Sequence, residues 1–431
     1  PPASEPPASE PPASEPPAVE ALPATEVSPA AAPATAGGDL AAAAPAAPAV
    51  AELGAGALPQ LLAAIPLAAA GETLYDLRLD RAANRIFVTD SADQLHVLDA
   101  TTYAPLAVLP YGDWLELDSE HNRLYVYKPY VTQDESLIHV IDTQTLEEAG
   151  AVAGRALAID AAHDRLFVGE PYTVSTADSA EGVRVLDGGT LEQTGVFTQP
   201  GAPLYNPAAD QLLIAAYTVY TADPQTQEVT GDLFPELMDM GETGMLWCNG
   251  CSWVDDIQYF PADQVVAVTV SAHCAGKGCG EEEPPRFFAA DTMTPIDPAV
   301  APQVQADCGS GASLVNVVDG RRYVNTLFDR YVVYTNLLVT DAAGTPLAQR
   351  DGLRIDYVNA RTGQGYLYDG TVLDLASLEP IGRWPASCLL AEDSESGLLF
   401  GHRNGSLYVI AETGGEPAAS PGPAPDPLPS E

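Results

Sequence analysis

The sequence has no run of about 20 apolar residues, the length a helix needs to cross a bilayer. The nearest stretch, ALPQLLAAIPLAAAG, is interrupted by Pro59 and Pro66, so no transmembrane segment is expected. Positive charge is equally scarce: 18 Lys and Arg stand against 60 Asp and Glu, the formal net charge is −42, and Lys128 and Lys277 are the only lysines. A polyanion of this kind is repelled by phosphate backbones and anionic lipid surfaces, which argues against nucleic-acid and basic-patch membrane roles. The charge reads first as solubility, with wholesale cation binding as the alternative. Apolar residues at helical spacing are nearly missing, so the chain is expected to be all-β. There is no GxSxG elbow, Walker loop or dinucleotide fingerprint, and no CxxCH for covalent haem.

Proline and alanine dominate both ends. PPASEPPASEPPASEPPAVE opens as a five-residue tandem repeat, and GGEPAASPGPAPDPLPSE closes the chain. Such text favours an extended, semi-stiff polyproline conformation with little to bury. Residues 1–57 and 413–431 are therefore expected to be stalk or linker, and 58–412 the folded domain. The first residue is Pro1 and not Met, an expectation of processing, with a signal peptide or a lipid-anchoring segment removed ahead of the stalk. Six cysteines, an even number, fit disulfides in an exported, extracellular or cell-surface protein.

Between the ends one phrase recurs. VIDTQTLEEAGAV from Val140, VLDGGTLEQTGVF from Val185 and VLDLASLEPIGRW from Val372 each read as strand, acidic turn, strand. The closing acid returns at Asp99, Asp142, Asp187, Asp223, Asp291, Asp341, Asp374 and Glu412. Upstream of each lie two further short strands, such as RLFV preceded by ALAID. Eight units of up to four strands are the pattern of a β-propeller, with seven blades as the alternative. The wording NRLYV, DRLFV, VIDTQTLE and VLDGGTLE resembles the YVTN-type propeller repeat over about Leu74 to Glu412. The resemblance implies an exported propeller and little about activity, since one architecture hosts surface proteins and binding modules alike.

The recurring acids are read as turn formers, accepting hydrogen bonds from the backbone N–H groups that follow. Asp80, Asp118, Asp160, Asn206, Asn316 and Asp393 are given the same role after the innermost strand. The last unit supplies three strands only, and LPQLLAAIPLA stands where an outer strand belongs. Residues 58–68 are therefore expected to pair with Leu407–Ala411 and close the ring, burying Leu61, Leu62, Ile65 and Leu67.

Labelling strands a to d outward places the b–c and d–a connections at one end of the ring. The irregular sequence falls there, along with Trp114, Trp247, Trp253 and Trp384. Tyr127, Tyr130, Tyr172, Tyr217 and Tyr220 add amphipathic aromatics, and together these residues form a candidate binding surface for a protein or glycan. The competing reading is that they cover blade edges. Cys248, Cys251, Cys274, Cys279, Cys308 and Cys388 share that end. CNGC with CAGKGC has the spacing of a four-thiolate zinc site, but export favours disulfides, whose pairing is open. His96 and His139 occupy equivalent positions, which argues for strand packing. No cofactor is expected; Asp255 and Asp256 approach the axis, where calcium is the alternative.

The expected function is thus an exported, surface-tethered, non-enzymatic binding or scaffold module. The alternatives are a hydrolase or oxidoreductase using the central channel, and a structural subunit of a cell-surface layer or filament.

Overall fold

Short runs of β-branched and aromatic residues, each ended by Asp, Asn or Gly, set many short strands joined by tight turns. A computed structural model describes residues 59–128, 136–169, 182–216, 218–234, 249–260, 264–274, 286–296, 315–318, 321–327, 335–341, 345–359, 362–367, 369–393 and 395–411. All lie within the unit Ala51–Glu431. They form eight four-stranded antiparallel sheets, a β-propeller ring. No α-helix occurs among the described residues, and the one helical turn is the 3-10 segment Ala161–His163.

Seven blades are consecutive in sequence. They are blade 1 (Leu74–Leu109), blade 2 (Trp114–Ala153), blade 3 (Ala156–Val196), blade 4 (Ala202–Asp232), blade 5 (Asn249–Ile296), blade 6 (Val315–Asp351) and blade 7 (Ile355–Arg383). Blade 8 takes three strands from Cys388–Ala411 and its outermost from Gln60–Pro66.

That outermost strand closes the ring as expected. Gln60 pairs with Ala411 and Pro66 with Ser406. Beyond it, the N–H groups of Leu67 and Ala68 both donate to the Gly405 carbonyl. Gly405 follows Asn404 in a two-residue hairpin, and both have positive φ (72° and 49°), the conformation that Asn-Gly adopts most easily. One expected contact is corrected. A bulge between Leu61 and Ala63 turns Leu62 into solvent, 46% exposed, while Ile65 is buried and Leu61 and Leu67 are half-buried against the core.

The core lies in the seams between blades. Seven apolar clusters each join two neighbouring sheets, from the blade 8–blade 1 seam (Ile65, Leu74, Phe400, Val409) around to the blade 7–blade 8 seam (Tyr366, Trp384, Leu399, Ile410). On the blade 6 side of blade 5, the described cluster (Val265, Ala267, Phe287) draws on blade 5 alone.

The repeated phrase has a structural reason. After strand c, Asp142 Oδ1 accepts from the N–H of Gln144 and Thr145 and from the Thr145 hydroxyl. Asp99, Asp187 and Asp374 do the same for Thr102, Thr190 and Ser377. Asp223 accepts from the Gln225 and Thr226 N–H groups. The fourth residue on then adopts a left-handed φ near 60° and donates its N–H back to the acid's carbonyl, as Leu146 does at 2.8 Å. A bulky residue there costs about 1–2 kcal/mol. In three blades it is a leucine that plugs a seam: Leu146 packs between blades 1 and 2, Leu191 between 2 and 3, and Leu378 between 6 and 7, whereas Gln227 holds the place in blade 4.

Candidate functional site

Strand order places the b–c and d–a connections together at one end of the ring. Every a–b and c–d turn, at the opposite end, has five residues or fewer. The connections over 128–136, 170–183, 233–248, 275–285 and 297–314 all leave from the first end. These two rims differ in what their side chains are doing.

At the short-turn rim the chemistry-bearing groups hold blades together. The buried Asp118 carboxylate accepts from His121 Nδ1 (2.9 Å), and Arg123 reaches across to Asp164 of blade 3 at 2.5 Å. One seam on, Asp160 accepts from His163 Nδ1 and from Arg165 Nε and Nη2, while Arg165 Nη1 donates to the Pro224 carbonyl of blade 4. Arg85 reaches the carbonyls of Thr143 and Gln144 in blade 2, and Arg321 that of Ala376 in blade 7. Arg81 joins Asp393 across the closing seam. The arginine that begins strand b thus fastens to the next blade's turns, a bridge for which the planar guanidinium suits better than lysine.

Two sets of residues at this rim have the donor types of a cation site: Asp118, His121 and Asp164, and Asp160, His163 and Asp210. In both, the carboxylates already have partners. Arg123 sits on Asp164, Arg165 on Asp160, and the Tyr205 hydroxyl donates to Asp210. A divalent ion at the first would have to share Asp164 with a guanidinium. The Tyr125 hydroxyl is fully buried beside Arg123, Asp118 and Asp164, out of hydrogen-bond geometry, and burial raises its pKa to about 12.

Nearer the axis the inner strands carry a second group. Asp76 accepts from the Leu115 N–H of blade 2 (2.9 Å) and from Arg78 (2.5 Å), and Arg78 also lies 3.7 Å from Glu116. Burial raises the pKa of both acids, although the Glu116 side chain is still 38% exposed. In blade 7, Asp356 is 3% exposed and neither oxygen is hydrogen-bonded. Arg354 Nε lies 2.9 Å away but off the bonding direction, and burial raises the Asp356 pKa to about 7.

The aromatics nominated by the sequence divide. Trp114 begins the inner strand of blade 2 and is exposed. Tyr127, paired across from it, is buried, and Tyr220 is half-buried against the blade 3–blade 4 core. Trp384 is corrected most clearly. It is 2% exposed, donates Nε1 to the Leu367 carbonyl and meets Tyr366 edge-on at 5.1 Å. Tyr127 and Trp384 are core residues because the ends of strands b and d turn their rings into seams. The Trp253 backbone lies in the inner strand of blade 5, and its side chain falls outside the described residues, as do Tyr130, Tyr172, Tyr217 and Trp247.

Cys388 is buried and disulfide-bonded. Cys251 and Cys274 stand on adjacent strands of blade 5, opposite His273 and Asn249 respectively. Their side chains, and Cys248, Cys279 and Cys308 entirely, lie outside the described residues, and so does the pairing. Asp255 and Asp256 occupy an inner-strand bulge of blade 5, again without described side chains. His96 is buried against Asp90 (2.7 Å), in keeping with packing, whereas His139 at the equivalent register bonds Glu148 at the surface. Sequence reasoning missed the arginine bridges, although Arg heads RIFV, RLYV, RLFV and RRYV. It also missed Tyr75, 48% exposed on the inner strand of blade 1.

Comparison with known proteins finds no matching family model and no match among curated proteins. The class defined by fold and site is therefore the β-propeller, with its titratable groups built into the scaffold at one rim.

Proposed function

We propose that the protein is an exported, surface-tethered propeller of YVTN type that acts as a non-enzymatic binding or scaffold module through the rim of long connections. The observation that carries this reading is the asymmetry between the rims. At the short-turn rim, the aspartates and arginines of successive blades hold turns and neighbours. The longer and more varied connections leave the other rim, on a ring closed by its own N-terminal strand. A rigid scaffold with variable connections on one end is how propellers offer contact surfaces. The partner is a protein or glycan at the cell surface. The disulfide at Cys388 supports export, since such bonds persist in oxidising compartments.

Surface labelling of intact producing cells, followed by chemical cross-linking and mapping of linked residues, tests this. Cross-links in 128–136, 170–183 or 233–248 and labelling from outside are expected. Exclusive recovery inside the cell, or cross-links confined to the a–b and c–d turns, would overturn it.

A further inference from the structure

We propose that Asn404 is a site of N-linked glycosylation, the acceptor of the triplet Asn404-Gly405-Ser406, and that its sugar faces solvent on the blade 8 sector of the long-connection rim. The inference rests on the exported reading above and deepens it, since such triplets are modified in secreted chains.

Asn404 is the only asparagine of the chain followed two residues later by Ser or Thr with no proline between. Two of the three residues have a structural reason. The b–c connection of blade 8 is a two-residue hairpin in which Asn404 and Gly405 take φ of 49° and 72°, a turn that favours Asn-Gly. Gly405 is fixed twice over: a Cβ there would lie 2.6 Å from the Ala69 carbonyl oxygen and 2.7 Å from that of Ala68. Ser406 has no such reason. It begins strand Ser406–Ala411, opposite Arg403 on one side and Pro66 on the other. The corresponding strands of blades 1 and 4 begin with Leu95 and Val219. The hydroxyl is the part of the triplet that the turn leaves unexplained, and it is the part a glycosylating enzyme reads.

The Asn404 side chain is placed to be an acceptor. In blade 7 the same connection ends in Asp369-Gly370-Thr371, with the same succession of exposed, buried and half-buried residues. There Asp369 Oδ1 accepts the Thr371 N–H at 2.8 Å, so the side chain is engaged by the turn. Asn404 is exposed, and among the described residues its amide makes no hydrogen bond. Its hairpin is held by backbone instead, through the Leu67 and Ala68 N–H groups on the Gly405 carbonyl. A bulky group on this amide displaces no contact.

The co-reactant is an oligosaccharide joined through pyrophosphate to a polyisoprenoid lipid. A bond forms between Asn404 Nδ2 and C1 of the first sugar, the bond from C1 to the phosphate oxygen breaks, the lipid pyrophosphate leaves, and the amide gives up one proton. Transfer precedes closure of the ring, because in the folded chain Ser406 is half-buried and paired with Pro66. Once Gln60–Pro66 has docked, exposed Asn404 leaves the sugar outside the core. A bulky, hydrated group there withdraws the blade 8 sector from contact and directs a partner to the longer connections of blades 2 to 5.

Peptide mapping by mass spectrometry, on the full chain recovered from the outside of its producing cells, is the test. The peptide containing Asn404 is expected to carry sugar in the parent and in Ser406→Thr, and to lose it in Ser406→Ala and Asn404→Gln. Ser406→Ala keeps both the acceptor and the turn residues, so loss there reports reading of the triplet and not a damaged hairpin. Because transfer precedes folding, the readout holds even for a variant that melts early. Unmodified Asn404 on parent chain recovered outside the cell would overturn the inference and leave the export reading standing. Recovery only inside the cell, without sugar, would overturn both. Sugar retained in Ser406→Ala would also overturn the inference, since it marks an attachment that does not depend on the triplet.

Discussion

The short-turn rim and the inner strands of the ring use acidic residues for different ends. At the short-turn rim, Asp118, Asp160 and Asp164 are tied to His121, His163, Arg165 and Arg123, and Asp99, Asp142 and Asp374 hold c–d turns. Around the inner strands of blades 1 and 2, Arg78 is shared between Asp76 and Glu116, and Lys128 pairs with Asp93. What separates the two cases is position in the blade: an a–b turn brings its acid against the neighbouring blade's arginine, whereas an inner-strand acid meets the neighbouring inner strand, as Asp76 meets the Leu115 N–H. Substitutions at the short-turn rim should therefore cost stability, and those in the long connections of the other rim should cost binding.

The largest effect belongs to closure, on which both rims depend. Deleting 58–68 removes the buried or half-buried Leu61, Ile65 and Leu67, roughly 4–9 kcal/mol as an upper bound. That approaches the whole stability of a domain, about 5–15 kcal/mol, so the deletion should abolish the cooperative thermal transition. A normal melt would detach the rims from a common ring.

Asp356 sharpens the comparison inside the ring. It ionises near pH ~3.9 when unfolded and at about 7 when folded, so unfolding releases a proton between those values. Stability therefore falls as pH rises from about 4 to 7, and the penalty is complete above that. Asp356→Asn should raise the melting temperature most at about pH 8, by an upper bound of about 4 kcal/mol, and hardly at all near pH 3.5. A pH-independent difference would show that the carboxyl is not desolvated.

The Arg123 bridge comes next. Arg123→Ala should cost about 1.5–3 kcal/mol in denaturant unfolding, and Arg123→Lys should recover only part, since lysine lacks the planar fork. Ligand binding at the other rim should be unchanged. The smallest effect is Asp142→Ala, about 1 kcal/mol for its lost turn hydrogen bonds. The Thr145 N–H holds the folded Asp142 pKa below its ordinary value. Its contribution is present above the unfolded pKa and lost as pH falls through the folded one. The variant should match the parent only at the acid end of a pH series.

Architecture was legible because it is periodic. The strand phrases, the buried turn residues Asp80, Asp118, Asp160, Asn206 and Asp393, and the closing strand all follow from spacing. The same rule extends to Asn359 in blade 7, whose side chain accepts from Thr362. Direction of a single ring was not legible. Trp384 and Trp114 both flank d–a connections, yet one turns into a seam and the other into water, because that choice depends on a neighbouring sheet distant in sequence. Leu62 was misread for a similar reason, since one bulge reverses the alternation. Arg123 looked like any strand-leading charge until Asp164 was placed beside it.

Hydrogen exchange on the intact chain reaches the central claim most directly. If blade 8 is completed by the N-terminal strand, the backbone amides of Gln60–Pro66 that pair with Ser406–Ala411 exchange as slowly as those of the neighbouring strand Leu398–Arg403, and open with the whole ring. Exchange of 60–66 at the rate of free peptide, with Leu398–Arg403 still protected, would contradict the closed ring and the two-rim account built on it.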